Sequence, residues 1–179
     1  QKFAVHFISD NPPAQSVARL EKSFRDTGGH LQALAQTLVD DPAAWQPATL
    51  KIRSPVGYIN ASMRALGWPW TQNVHERDQQ MRSVIAASRM MGEIPFMAPS
   101  PKGWPDNSDA WSGGNAMLNR IEWAKEISNH LPPNINPASV ADQSLGPLLQ
   151  PATRAAINNA AMPGEAVALL LSSPEFQRR

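Results

Sequence analysis

The residues best suited to bind a ligand lie together in one proline-rich stretch of the sequence. They are two tryptophans and three residues with side-chain oxygens: Trp104, Asp106, Asn107, Asp109 and Trp111. Indole faces suit the apolar faces of sugar rings, and the neighbouring carboxylates and amide can supply hydrogen bonds. The pattern therefore favours a surface that contacts a glycan. The alternative is structural, with both indoles holding a long loop against helices through hydrogen bonds to backbone carbonyls.

The oxygen-rich run at 106–109 raises a second chemistry, because calcium prefers carboxylate and amide oxygens. The run lacks the alternating ligand spacing and the distal glutamate of a calcium-hand loop. Asx turns and helix capping explain Asp-Asn-Ser-Asp with fewer assumptions. We therefore predict no metal and no cofactor, and the sequence identifies no catalytic residue.

Other catalytic and binding motifs are missing from the sequence. A zincin motif would need a second histidine four residues after His75, but Gln79 stands there. The sequence has no cysteine, which excludes disulfides and thiolate metal sites. The formal net charge is +1 and no basic stripe occurs, so a nucleic-acid partner is not predicted. The longest strictly apolar run, 166–171, is far shorter than the ~20 residues of a membrane-spanning helix.

The elements that must position these residues are predicted to be helices. Proline suits the first position of a helix, and several prolines follow good cap residues, such as Ser54 before Pro55 and Asn136 before Pro137. Between these starts, apolar residues recur three and four apart, for example Met117, Ile121, Ala124 and Ser128.

The spacing predicts an all-α, irregular multi-helix bundle of about seven or eight helices. We expect a single helical domain over 1–179, with one long ordered loop, rich in proline and tryptophan, over 93–114. The first residue is Gln1 and the chain starts within an apolar pattern. We therefore expect the chain to be a fragment or a processed product, with its natural upstream sequence missing.

Five blocks of the sequence are similar to one large bacterial family. They are Ser9-Asp10-Asn11-Pro12-Pro13 with 24–29, Lys51-Ile52-Arg53-Ser54-Pro55, Arg64-Ala65-Leu66-Gly67, the block 99–106, and the closing block 173–179. The chain resembles, over essentially its whole length, the C-terminal part of the family catalogued as domain of unknown function 1800. The resemblance implies a helical protein that is often exported with a twin-arginine-type leader. It supplies neither an established activity nor catalytic residues.

Two functions remain open at this point. The first is a non-catalytic interaction or scaffold module of an exported protein, periplasmic or at the cell surface, that binds a protein or a cell-wall glycan. The second is part of a hydrolase-like enzyme acting on polysaccharide or another polymer, with its catalytic groups mostly in the missing upstream part.

Overall fold

In a computed structural model, the structure describes residues 1–45, 51–68, 71–132 and 134–179. Within these ranges the chain forms nine α-helices and no strand, so the predicted all-α fold is confirmed. The helices are α1 (Lys2–Phe7), α2 (Ala14–Asp26), α3 (Leu31–Val39), α4 (Pro55–Ala65), α5 (Val74–Met90), α6 (Gly114–Ser128), α7 (Pro137–Leu145), α8 (Pro151–Asn159) and α9 (Pro163–Ser172). Short 3-10 turns cover Pro42–Trp45, Ser108–Ala110 and Gly146–Leu148. Across the described part of the chain, no helix is both long and apolar enough to cross a membrane.

The chain divides into two compact units. Unit 1 comprises Gln1–Lys51 and Asp106–Ser108, and unit 2 comprises Ile52–Pro105 and Asp109–Arg179. In unit 1, α2 packs against α1 and α3. The small core there consists of Ala4, Leu20, Leu34 and Leu38. The single helical domain expected over the whole chain stays a prediction.

In unit 2 the last helix, α9, packs against α6, α7 and α8. Its residues Val167, Leu170 and Leu171 are fully enclosed in a core that also contains Tyr58 of α4. Gly164 allows α9 to approach α6 closely, because a Cβ atom at this position would lie 3.1 Å from the carbonyl oxygen of Ser128.

The helix starts predicted from caps and prolines are confirmed. The Ser54 side chain accepts a hydrogen bond from the amide of Gly57 at 3.3 Å, at the start of α4. Asn136 accepts from the amide of Ser139 at 3.1 Å, at the start of α7. The helix α1 was not expected from the sequence, because six residues are too few to display a helical period.

The apolar pattern of α6 is wrong at one position, 121, although Ala124 and Ser128 are buried as the pattern indicates. Ile121 is 48% exposed, whereas Arg120 beside it is fully buried. The face that packs against α9 contains Arg120, Ala124 and Ser128, which recur at four-residue spacing. A pattern based on apolar residues places isoleucine in the core and arginine at the surface. It therefore does not predict a buried arginine whose guanidinium donates hydrogen bonds to acceptors inside the protein.

Candidate functional site

The predicted ligand-binding residues are divided between the two units. Asp106 and Asn107 belong to unit 1, whereas Trp104, Asp109 and Trp111 belong to unit 2. Asn107 and Asp109 are exposed, and Asp106 and Trp104 are half-buried. The glycan-contacting surface that they were expected to form stays a prediction.

The two tryptophans of this stretch contact each other within unit 2. Their ring centroids lie 5.9 Å apart with an interplanar angle of 53°. Trp111 is only 4% exposed, and its indole N–H donates to the carbonyl of Pro105 at 3.2 Å. The indole nitrogen of Trp104 is enclosed and has no hydrogen-bond partner among the described residues. Trp111 therefore packs inside unit 2, and Trp104 keeps part of its ring at the surface.

Asp106 takes part in a charged cluster around a buried lysine in unit 1. The Lys51 ammonium, 3% exposed, lies 3.1 Å from Asp106 Oδ2 and 3.3 Å from Asp10 Oδ1. It also donates to the carbonyl of Val5 at 2.7 Å. His6 Nδ1 lies 2.9 Å from the same oxygen of Asp106. The carboxylates of this cluster therefore surround an ammonium group.

Asp10 is held as a carboxylate by its neighbours. Burial acts to raise the pKa of Asp10, but hydrogen bonds from Ser108 and Lys51 outweigh it and keep that pKa below its ordinary value. One of these bonds joins the backbone N–H of Ser108 to Asp10 Oδ2 at 2.9 Å. The lowered pKa does not suit Asp10 to act as a general acid at neutral pH. The hydrogen bond from Ser108 connects 106–108 to the rest of unit 1. In the described ranges, no group of three or more histidine, aspartate or glutamate side chains could hold a metal ion.

A second buried cation, Arg120, lies in unit 2 and was not anticipated. Its Nη2 donates to the backbone carbonyl of Arg53 at 2.7 Å, and its Nη1 donates to Gln177 Oε1 at 2.9 Å. The guanidinium carbon lies 5.2 Å from the centroid of the Tyr58 ring, within the range of a cation–π contact. The amide of Arg53 donates to the carbonyl of Gln177 at 2.9 Å. Arg120 thus joins two of the sequence blocks that carry the family resemblance.

The groups around Arg120 are closed off from solvent. Burial lowers the pKa of Arg120, while the nearby Tyr58 and Glu93 act to raise it, and burial also raises the pKa of Tyr58. Glu93 is 8% exposed, and its carboxylate accepts from the amide of Val56 at 2.8 Å in the first turn of α4. This arrangement stabilises the positive end of α4. Nothing in the sequence distinguishes Arg120 from an ordinary exposed arginine on a helix.

The described part of unit 2 also contains an apolar groove of about 720 Å³ between α5 and α6. Its apolar walls include Met63, Trp68, Val84, Met90, Trp123 and Ile127. Trp123 meets the ring of Tyr58 edge to face, with centroids 5.6 Å apart, so its indole is held in place. Gln80, Ser83, Glu126 and His130 supply the polar part of the lining. None of the five predicted ligand-binding residues lines this groove.

The groove could not be found from the sequence, because its lining residues are spaced as core residues of helices are. Met63, Val84 and Ile127 each continue an apolar helical pattern. Such residues contact a partner helix or line an open space according to the angle and distance at which the helices cross. A local sequence pattern does not specify this geometry.

Comparison with known proteins gives one informative result. No curated protein and no solved structure matches the chain significantly. The family described as "Protein of unknown function (DUF1800)" matches residues 1–178. The match covers essentially the whole chain, so the resemblance seen in the sequence is confirmed, and the chain belongs to the DUF1800 family.

Proposed function

We propose that this chain is a non-catalytic binding module, and that the apolar groove of unit 2 is its binding face. The observation that carries the proposal is the groove itself. Its volume of about 720 Å³ lies within the range of small-molecule sites, which span about 300–1,000 Å³ and combine apolar walls with a few polar groups. Trp68 and Trp123 add two large aromatic side chains to the lining, which suit an apolar ligand.

Three of the described carboxylates have structural roles. Asp41 pairs with Arg19 at 2.6 Å, and its pKa is lowered by that guanidinium. Glu93 and Glu175 accept backbone amides, from Val56 at 2.8 Å and from Gln150 at 3.0 Å. These carboxylates stabilise helix ends and loops, whereas a glycosidase needs two carboxylates that face each other across a cleft. We favour the binding function because unit 2 contains a groove of ligand size, whereas the hydrolytic alternative places its catalytic groups mostly upstream of this chain.

Export to the periplasm or cell surface is part of the same proposal. It depends on the resemblance of the sequence to a family whose members are often exported. A protein or glycan partner at that location is consistent with a module that binds without catalysis.

The groove is tested by titrating the purified chain with N-phenyl-1-naphthylamine, a neutral dye that emits strongly in apolar sites. We expect saturable binding that Ser83→Trp weakens about tenfold or more, because the added indole fills space that the ligand needs. Met81→Trp is the matched control, since Met81 lies on the same helix, is 45% exposed and does not line the groove. Binding that is absent, or equal in both variants, would overturn the groove as the binding face.

A second candidate is glycan contact at Trp104. The half-buried ring of Trp104 favours it, because part of the ring lies at the surface. Tryptophan fluorescence titrated with cell-wall oligosaccharides tests it, with Trp104→Ala as the variant. Trp45→Ala is the control, because Trp45 is 69% exposed and lies in unit 1. Quenching that Trp104→Ala leaves intact would exclude this site.

A further inference from the structure

We propose that the ligand of the unit 2 groove is a small hydrophobic ammonium compound, with an apolar body and one positively charged amine end. This inference rests on the proposed binding function of the groove. It adds the charge of the ligand, which is argued from the groups that line the groove.

The described lining of the groove carries one carboxylate. Glu126 is the acidic residue, and the described residues of the lining include neither lysine nor arginine. His130 is the remaining titratable group, and its Nε2 lies 3.1 Å from Glu126 Oε1. A carboxylate has two oxygens and about four acceptor positions, so this contact leaves Glu126 able to accept from an ammonium group as well.

The aromatic walls favour the same sign of charge. An ammonium group that approaches the face of an indole within about 6 Å is attracted by the negative potential of the ring. Trp68 and Trp123 both line the groove, and the contact of Trp123 with Tyr58 fixes the orientation of one of the two rings. A carboxylate ligand would be repelled by the carboxylate of Glu126 and by the negative potential of the indole faces.

The apolar part of the lining favours a ligand with an apolar body. Met63, Val84, Ala87 and Ile127 offer only hydrocarbon and thioether surface, which stabilises a ligand in proportion to the apolar area that it buries. The thioethers of Met63 and Met90 adapt to ligands of irregular shape. A phenylalkyl or short alkyl chain next to the amine satisfies both parts of the site.

Three compounds with matched phenylalkyl bodies test the charge: 4-phenylbutylammonium, 4-phenylbutanol and 4-phenylbutyrate. Each is titrated against the chain saturated with the neutral dye, and displacement of the dye is measured. We expect the ammonium compound to displace the dye at a concentration about tenfold lower than the alcohol, with the carboxylate the weakest.

Glu126→Gln tests the residue that is proposed to select the charge. We expect it to reduce the preference for ammonium over alcohol to about threefold, with the remainder due to the indole faces. Glu126 is 71% exposed, so the variant is expected to fold. Glu122→Gln is the matched control, because Glu122 is an exposed glutamate of the same helix that does not line the groove.

The possible results separate this inference from the function on which it rests. Equal displacement by the three compounds would leave a binding groove but overturn the proposed ligand class. Absence of saturable dye binding would overturn both.

Sedimentation at the same protein concentrations tests whether a second copy of the chain occupies the groove. Phe96 is a fully exposed aromatic side chain that another copy could insert there. Dye binding that falls as dimer forms would identify a second copy as the occupant and overturn the ammonium ligand.

Discussion

The two units each bury a cation, but they neutralise it with different chemistry. In unit 1 the ammonium of Lys51 lies near the carboxylates of Asp10 and Asp106. In unit 2 the guanidinium of Arg120 donates to the neutral oxygens of Arg53 and Gln177. Carboxylates take up protons in acid, whereas carbonyl oxygens do not. The clusters should therefore respond differently to acid, although both enclose a positive charge.

The shape of each cation explains the choice of acceptors. A guanidinium is planar and directs its donors at fixed angles, so it suits two acceptors in fixed positions and the flat face of Tyr58. An ammonium is a compact charge with three donors, and Lys51 has three oxygens within 3.3 Å, from Val5, Asp10 and Asp106. Exchange of lysine and arginine between the two clusters would satisfy neither.

Arg120→Met is expected to give the largest loss of stability. It leaves the oxygens of Arg53 and Gln177 without their donor inside unit 2, and each buried acceptor that loses its hydrogen bond costs about 1–3 kcal/mol. We expect the free energy of unfolding in urea, followed by tryptophan emission, to fall by about 4 kcal/mol. Arg82→Met, at an exposed position of α5, should change it by no more than about 0.5 kcal/mol. Equal stability of the two variants would contradict this expectation. It would mean that the free-energy cost of removing the guanidinium of Arg120 from water equals the stabilisation by its hydrogen bonds.

Lys51→Met is expected to give a smaller loss, of about 2 kcal/mol. The carboxylates of Asp10 and Asp106 would lose their buried cation, but they are 26% and 38% exposed, so water compensates in part. Hydrogen exchange of peptides from α1 and α2, together with unfolding in urea, measures the loss in unit 1. Lys22→Met is the matched control, because Lys22 forms an exposed ion pair with Asp26 on α2. A loss no greater than that of the control would contradict the role of Lys51 as the centre of the cluster.

Local and long-range features of this chain differ in how far the sequence predicts them. The starts of α4 and α7 depend on residues at most three positions apart, such as Ser54 and Gly57, and the sequence predicted them. Arg120 instead depends on partners 57 and 67 residues away. Its burial requires the packing of α6 against α9, which no local pattern contains.

The same distinction applies to the candidate sites. The candidate ligand-binding residues of 104–111 are close in sequence, yet they belong to two compact units. The groove is not evident from the sequence, because α4, α5 and α6 contribute residues as distant as Met63 and Ile127. A sequence therefore shows which residue types could bind a ligand. It does not show which residues helix packing brings together around a groove.

Asp10→Asn tests the expected difference in acid response. The pKa of Asp10 is lowered in the folded protein, so its contribution to stability is complete above the ordinary value and is lost as the pH falls through the lower, folded value. At about pH 7 the variant should unfold about 1 kcal/mol more easily than the unaltered chain. This difference should shrink in urea unfolding experiments below about pH 4. The deficit of Arg120→Met should not shrink there, and a parallel decrease would remove the distinction between the two clusters.

His6→Gln is expected to give the smallest effect, and it tests whether His6 or Lys51 contributes more to the interaction with Asp106. His6 and Lys51 both lie near Asp106 Oδ2, at 2.9 Å and 3.1 Å. The side chain of His6 is 48% exposed, and such surface pairs contribute about 0–1 kcal/mol, so we expect unfolding in urea to change by less than about 0.5 kcal/mol. A loss equal to that of Lys51→Met would mean that the side chains of His6 and Lys51 contribute equally to stability. A smaller loss for His6→Gln than for Lys51→Met is the expected result. Because both groups lie at nearly the same distance from Asp106, that result would show that burial of the ammonium determines how much the cluster stabilises unit 1.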